Sequence, residues 1–259
     1  MWSDFKEVFV RSGRFALACP VLFAIPILIE LVQHHFEIAA GFYASIDGMK
    51  AAEHDTLRMV FGHAKVLVLF AAAFWTARFL VFGDDSRAAR HASARALVCF
   101  APVLAWGVMW LVVGQDGPTI ARWIGASPQT FVMTATVIAF AAGILLEPAL
   151  SAWKTAAAAG NGAIGFLTSI RLTRGSYFWA VAFSLLVTLP LMIVHYALAL
   201  ASIGHGAVTT WLILGVDAAL VGWMAVAMPA ASYVIARRCT SRHDVDLAPA
   251  EARSRPQIA

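Results

Sequence analysis

Apolar positions along the chain gather into six runs separated by short polar segments. The runs cover Phe15 to about Gln33, Phe61 to Phe82, Ala96 to Gly114, Phe131 to Leu150, Phe178 to Ala201 and Val208 to Ala236. A helix needs ~20 mostly apolar residues to cross the hydrocarbon core of a bilayer. Each run therefore predicts one membrane-spanning helix, and together they predict an all-α polytopic membrane protein. Three of the polar segments are basic and amphipathic. Trp2–Arg14 places Trp2, Phe5, Val8 and Phe9 on one helical face. Asp84–Arg95 opens with Asp84 or Asp85 at a capping position. Ile164–Arg174 sets Phe166, Ile170 and Thr173 opposite Arg171 and Arg174. Such segments are expected to lie on the cytoplasmic membrane surface, basic side chains toward the headgroups.

Each surface segment precedes an odd-numbered span, and those spans begin at the nearly even positions 15, 96 and 178. This predicts one transmembrane domain over residues 1–236, laid out as hairpins at about 1–83, 84–151 and 152–236. A flexible, basic cytoplasmic tail is expected over residues 237–259. The threefold hairpin layout resembles that of the mitochondrial carriers, but their P-x-[DE]-x-x-[KR] motif is missing. Pro26 is followed by Ile-Leu-Ile-Glu, and Pro102 and Pro190 also lack the acid. That family's properties are therefore not carried over.

Composition narrows the class further. The chain has 259 residues, 61% hydrophobic and 13% charged, against roughly 45–50% and ~25% for ordinary globular domains. A soluble domain, a disordered chain and a disulfide scaffold are all excluded. Cys19, Cys99 and Cys239 show no paired spacing and read as reduced, buried thiols. The basic N-terminus followed by an apolar run resembles a signal peptide, but the run is long and holds Pro20 and Pro26. An uncleaved first span is expected.

The formal charge of +4 is a matter of topology, and no nucleic-acid partner is expected. Fifteen of the nineteen Lys and Arg residues fall on the N-terminal side of the bilayer, leaving Lys50, Arg58, Lys65 and Arg122 opposite. The positive-inside rule then predicts N-in/C-in, in a bacterial inner membrane. Trp153 and Trp179 mark the inner boundary, and Trp110, Trp123 and Trp211 the outer one.

Ionisable groups inside a span cost ~2.5–3.5 kcal/mol each at its centre on insertion scales, so their positions are informative. They are Glu30, Lys65, Glu147, His195 and Asp217. Glu30, His34 and Glu37 share a helix face at i, i+4 and i+7. His54, Arg58 and Lys65 form a similar stripe on the second span. Glu30 with Lys65, and Glu37 with Arg58, have the same index sum, as facing residues of an antiparallel hairpin must. Both pairs are expected as structural ion pairs, with the hairpin turning between Asp47 and Gly48. Glu147 precedes Pro148 near the inner end of the fourth span and is expected to snorkel or to pair with Lys154.

His195 and Asp217 fall at similar depth in the outer half. The candidate substrate- or ion-binding residues are therefore Glu30, Lys65, His195 and Asp217. The expected function is a small transporter, or a membrane component binding a lipid or small molecule, with its polar site in the outer half. One alternative is a metal-dependent lipid hydrolase, with a zinc-type site drawn from His34, His63, His195 and Asp217. Another is a non-catalytic scaffold subunit. No catalytic residue is identified, and no cofactor motif, P-loop, dinucleotide fingerprint or nucleophile elbow occurs. Membrane lipids are the expected partners. The small residues Gly215, Ala218, Ala219 and Gly222 of the sixth span could also support a homo- or hetero-oligomer.

Overall fold

In the computed structural model of the chain residues 1–250 are described, and every regular element among them is helical. In order these are α1 (Trp2–Ala18), α2 (Pro20–Ala39), α3 (Ile46–Ala51), α4 (Thr56–Val81), α5 (Ser86–Arg90) and α6 (Ala94–Gln115). They continue as α7 (Gly117–Trp123), α8 (Pro128–Ala141), α9 (Ser151–Ala159), α10 (Phe166–Thr173), α11 (Tyr177–Ala201) and α12 (Ala207–Ser241). Six stretches are long and apolar enough to cross a membrane: Pro20–Ala39, Thr56–Val81, Ala94–Gln115, Pro128–Leu146, Phe166–Ala201 and Ala207–Ser241. The protein is thus a multi-pass membrane protein. Arg253 and Arg255 of the expected tail lie outside the described residues.

The first span begins later than the apolar run. α1 continues to Ala18, and the chain breaks at Cys19 (φ −131°, ψ 55°) before α2 starts at Pro20. Proline disfavours a helical residue before it and lacks the N–H a continuing helix needs, yet it suits a first helical position. The expected turn at Asp47–Gly48 is also replaced. α2 ends at Ala39, α4 starts at Thr56, and the chain between them folds into a cap containing α3. Gly41 turns at φ +79°, the Ser45 hydroxyl caps α3 by accepting from Gly48 N–H, and Asp55 caps α4.

α12 is the centre of the bundle, with α1, α2, α4, α9 and α11 packed around it. α6 lies beyond α4 and α9, and α8 beyond α6 and α7. Small residues set the closest approaches. A Cβ on Gly222 would stand 2.2 Å from Ile27 Cγ1, and one on Gly107 would stand 2.3 Å from the Phe70 ring. Gly222 therefore serves packing between α12 and α2, whereas Gly215 faces open space. None of the side chains of α8 is buried. At its base the helix widens into a π turn at Ala142–Leu146, with Glu147 N–H donating to Ala142 O at 3.0 Å. A 3-10 turn at Pro148–Leu150 follows. Glu147 pairs with Lys154, and its Oε1 accepts from Trp106 Nε1 at 2.9 Å.

The short α9 was not apparent as an apolar run. Its sequence SAWKTAAAA is almost wholly buried between α4, α6 and α12, since alanine lets helix backbones come close. Gly160 (φ +88°) ends it. Asn161 next to it donates from Nδ2 to Asp246 O at 2.9 Å, and Leu247 is buried. The start of the C-terminal segment is thus held against the bundle, and α12 itself runs past the expected limit at Ala236 to Ser241.

Charged contacts cluster at the end of the bundle that carries α5 and α10. Arg11 donates to Asp84 at 2.7 and 3.0 Å, and Arg237 makes a bidentate pair with Glu7 at 2.6 Å. Arg78 is different. It is buried, and its guanidinium donates to three backbone carbonyls: Ala88 at 2.8 Å, His91 at 2.7 Å and Ala158 at 3.0 Å. The planar fork of arginine suits such a task, and it ties α4 to the α5 segment and to α9. Arg78→Leu leaves those carbonyls without their donor, at ~1–3 kcal/mol for each buried unsatisfied group. The expected result is a strong fall in detergent melting temperature, with Arg78→Lys falling less. Wild-type stability in Arg78→Leu would disprove the role.

Candidate functional site

The opposite end of the bundle, which carries α3 and α7, encloses the polar site. α2 contributes Glu30, Gln33, His34 and Glu37, which helical periodicity places on one face. α4 contributes Arg58 and Lys65, α11 His195, α12 Asp217, and the α2–α4 cap contributes Tyr43. Glu30, His34, Glu37 and Asp217 are 1%, 3%, 3% and 0% exposed, so each needs partners inside the protein.

The contacts form a connected network. Lys65 Nζ lies 3.1 Å from Glu30 Oε2 and Arg58 Nε 3.2 Å from Glu37 Oε1. Glu37 is the best satisfied acid. Its Oε1 accepts from Gln33 Nε2 at 2.8 Å and its Oε2 from the Tyr43 hydroxyl at 2.8 Å. His34 Nδ1 lies 2.9 Å from the same Oε2. Burial, with the Glu37 carboxylate beside it, pushes the Tyr43 hydroxyl above its ordinary range, so it remains a donor. Arg58 also donates to Glu53 O at 2.6 Å and stacks over the Phe42 ring at 4.6 Å. The cap thereby holds both sides of the Glu37–Arg58 pair.

The far face of His34 reaches two further carboxylates. Its Nε2 is 3.5 Å from Glu30 Oε1 and 3.4 Å from Asp217 Oδ2. Asp217 Oδ1 in turn lies 2.7 Å from His195 Nδ1. Glu30, Lys65, His195 and Asp217 are therefore joined through His34. His63 is not part of this group. It lies between Met59 O, at 2.7 Å, and Asp116 Oδ2, at 2.9 Å. Of the four residues considered for a zinc-type site, His34, His195 and Asp217 converge and His63 stands apart.

A cavity of about 350 Å³ opens beside the network. Its wall includes Gln33, His54, Arg58, Gly62, Lys65 and Gln115. A Cβ on Gly62 would come within 3.1 Å of Gln115 Oε1, so the glycine keeps room for that amide. Lys65 and Arg58 each face a buried carboxylate and line the cavity. Sequence reading missed Gln33, Tyr43 and Gln115. Gln33 shares the helix face of Glu30 and Glu37 and was legible from spacing. Tyr43 and Gln115 carry no periodic signal, because a cap and a helix end bring them in.

Comparison of the chain with protein-family models, with curated proteins and with solved structures finds no match.

Breaking a buried ion pair by removing one partner typically costs ~3–5 kcal/mol, while replacing both is far milder. Glu30→Gln and Lys65→Met are each expected to destabilise the protein, and the double variant to recover most of the loss. Additive losses in the melting temperatures would show that the two groups do not depend on each other.

Proposed function

We propose that the protein is a small transporter or membrane binding component that takes a small anionic molecule, or an anionic lipid headgroup, into the cavity beside Arg58 and Lys65. The cavity carries this reading. At about 350 Å³ it lies at the small end of the ~300–1,000 Å³ range of ligand pockets. Its cations are presented on an apolar bundle, where unneeded charge is costly. The buried carboxylates behind them hold Arg58 and Lys65 in place, so an arriving anion meets cations already ordered.

The same proposal places the α3 end outside and both termini in the cytoplasm, in a bacterial inner membrane. Support comes from the basic residues gathered at the α5 end, including Arg11, Arg14, Arg87, Arg90, Arg237 and Arg238. A second reading, a non-catalytic assembly subunit, draws on α8, whose unburied side chains are available to another chain.

Two experiments test these readings. Inorganic phosphate, succinate and glycerol phosphate are titrated into purified protein while its melting temperature is followed. At least one is expected to stabilise the wild type, with the shift lost in Gly62→Leu, which fills the cavity. Equal shifts in both proteins, or none with any probe, would count against the site. For orientation, Ala51→Cys is expected to react with a membrane-impermeant maleimide on intact cells, and Ala92→Cys only after permeabilisation. The reverse pattern would invert the topology.

A further inference from the structure

Behind the cavity wall, Glu30, His34 and Asp217 each turn a ligating atom toward one buried point, all within 4.8 Å of one another. Two of these atoms, His34 Nε2 and Asp217 Oδ2, have no hydrogen-bond partner. Their residues are 3% and 0% exposed, so water outside the bundle does not satisfy them. Buried polar groups are normally paired, and two orphans aimed at the same place call for a common partner.

We infer that this point is a binding site for a divalent cation of the zinc class, held by Glu30, His34 and Asp217. The distances carry the inference. A protonated His34 bonded to a carboxylate through Nε2 would sit at ~2.7–2.9 Å, the length of a charge-assisted bond. The observed separations are 3.5 Å to Glu30 Oε1 and 3.4 Å to Asp217 Oδ2. Ligands ~2.0–2.1 Å from a tetrahedral zinc ion are themselves ~3.3–3.4 Å apart. The spacing thus matches two atoms sharing an ion better than two atoms sharing a proton.

The surrounding contacts suit the same role. His34 Nδ1 faces Glu37 Oε2 at 2.9 Å, and that oxygen can only accept. Nδ1 therefore carries the hydrogen, and Nε2 presents its lone pair to the site. A carboxylate behind a ligating histidine is the usual way such a ring is oriented and made more basic. Asp217 is steadied likewise by His195 on its other oxygen, at 2.7 Å. One nitrogen and two oxygens form a donor set suited to zinc or cobalt, and three protein ligands leave a fourth position open. The site is independent of what the cavity binds.

Metal content and the spectrum of the cobalt-loaded protein test the inference. The full chain, purified without chelator, loaded with cobalt(II) and dialysed, is expected to retain one ion with the intense visible absorption of tetrahedral cobalt. Asp217→Asn and His34→Gln should lose it, while Lys65→Met, which removes the cation beside both Glu30 oxygens but no ligand, should keep it. His195→Gln should weaken binding by ~10–100-fold, the usual effect of removing a ligand's own partner. Wild-type protein that holds no cobalt above the buffer background overturns the inference, whether or not the variants fold. So does cobalt retained equally by Asp217→Asn, or a weak six-coordinate spectrum. Either of these marks surface binding and leaves the His34 cluster bridged by a proton alone. Loss of the cavity's anion response would leave this result unchanged.

Discussion

Asp217 is fully buried on the helix around which the bundle is built. A carboxylate at such depth is expensive, so the bundle closes only where partners reach it. α11 supplies His195 and α2 supplies His34. Committing His34 to Asp217 fixes the face α2 turns inward, which also buries Glu30 and Glu37. Those acids draw Lys65 and Arg58 from α4. One buried charge thereby sets the rotation of three neighbouring helices. The resulting balance is uneven, with three carboxylates facing two permanent cations. A single proton would balance the cluster, whereas a divalent ion would leave it with one positive charge.

Packing does the rest of the assembly. In lipid there is little hydrophobic force between helices, so close contact and hydrogen bonds decide how they dock. Gly222 against Ile27, Gly107 against Phe70 and the alanines of α9 supply the close contact. At the other end Arg78 works without any carboxylate, as a bracket among three carbonyls. It would stand out in a sequence only as one more positive charge near a helix end. Acids meet cations at both ends, buried at the α3 end and partly exposed at the α5 end, and the α5 end adds an arginine held by peptide groups in place of an acid.

The six apolar stretches were legible because length and composition alone define them. The contacts Glu30–Lys65 and Glu37–Arg58 have a simple cause in the sequence, since antiparallel helices of constant pitch keep facing residues at a constant index sum. That relation holds even though the connection does not take the tight turn it suggests. A sixteen-residue cap can return the chain in the same register, so the pairing survives while the turn does not. The break at Cys19 was signalled by Pro20 but obscured by the apolar residues on both sides. The link from Glu30 through His34 to Asp217 joins the first span to the last, and no local pattern relates positions so far apart. Tyr43 enters the site for the same reason, through the folding of a loop.

α8 stands outside this system of mutual constraint. It has no buried side chain, and its base is a π turn next to Pro148. Widened turns and prolines weaken the backbone ladder at one place and leave the helix above it intact. Swinging α8 would uncover little that the bundle relies on, and the charged network on α2, α4, α11 and α12 would keep its geometry. The π turn and Pro148 thus mark the place where α8, which rests on α6 and α7, would bend if it moved against the rest of the bundle. The cavity wall includes Val132 of α8 as well as Arg58 and Lys65 of α4, so any such travel of α8 changes the width of the opening while the charges inside stay still.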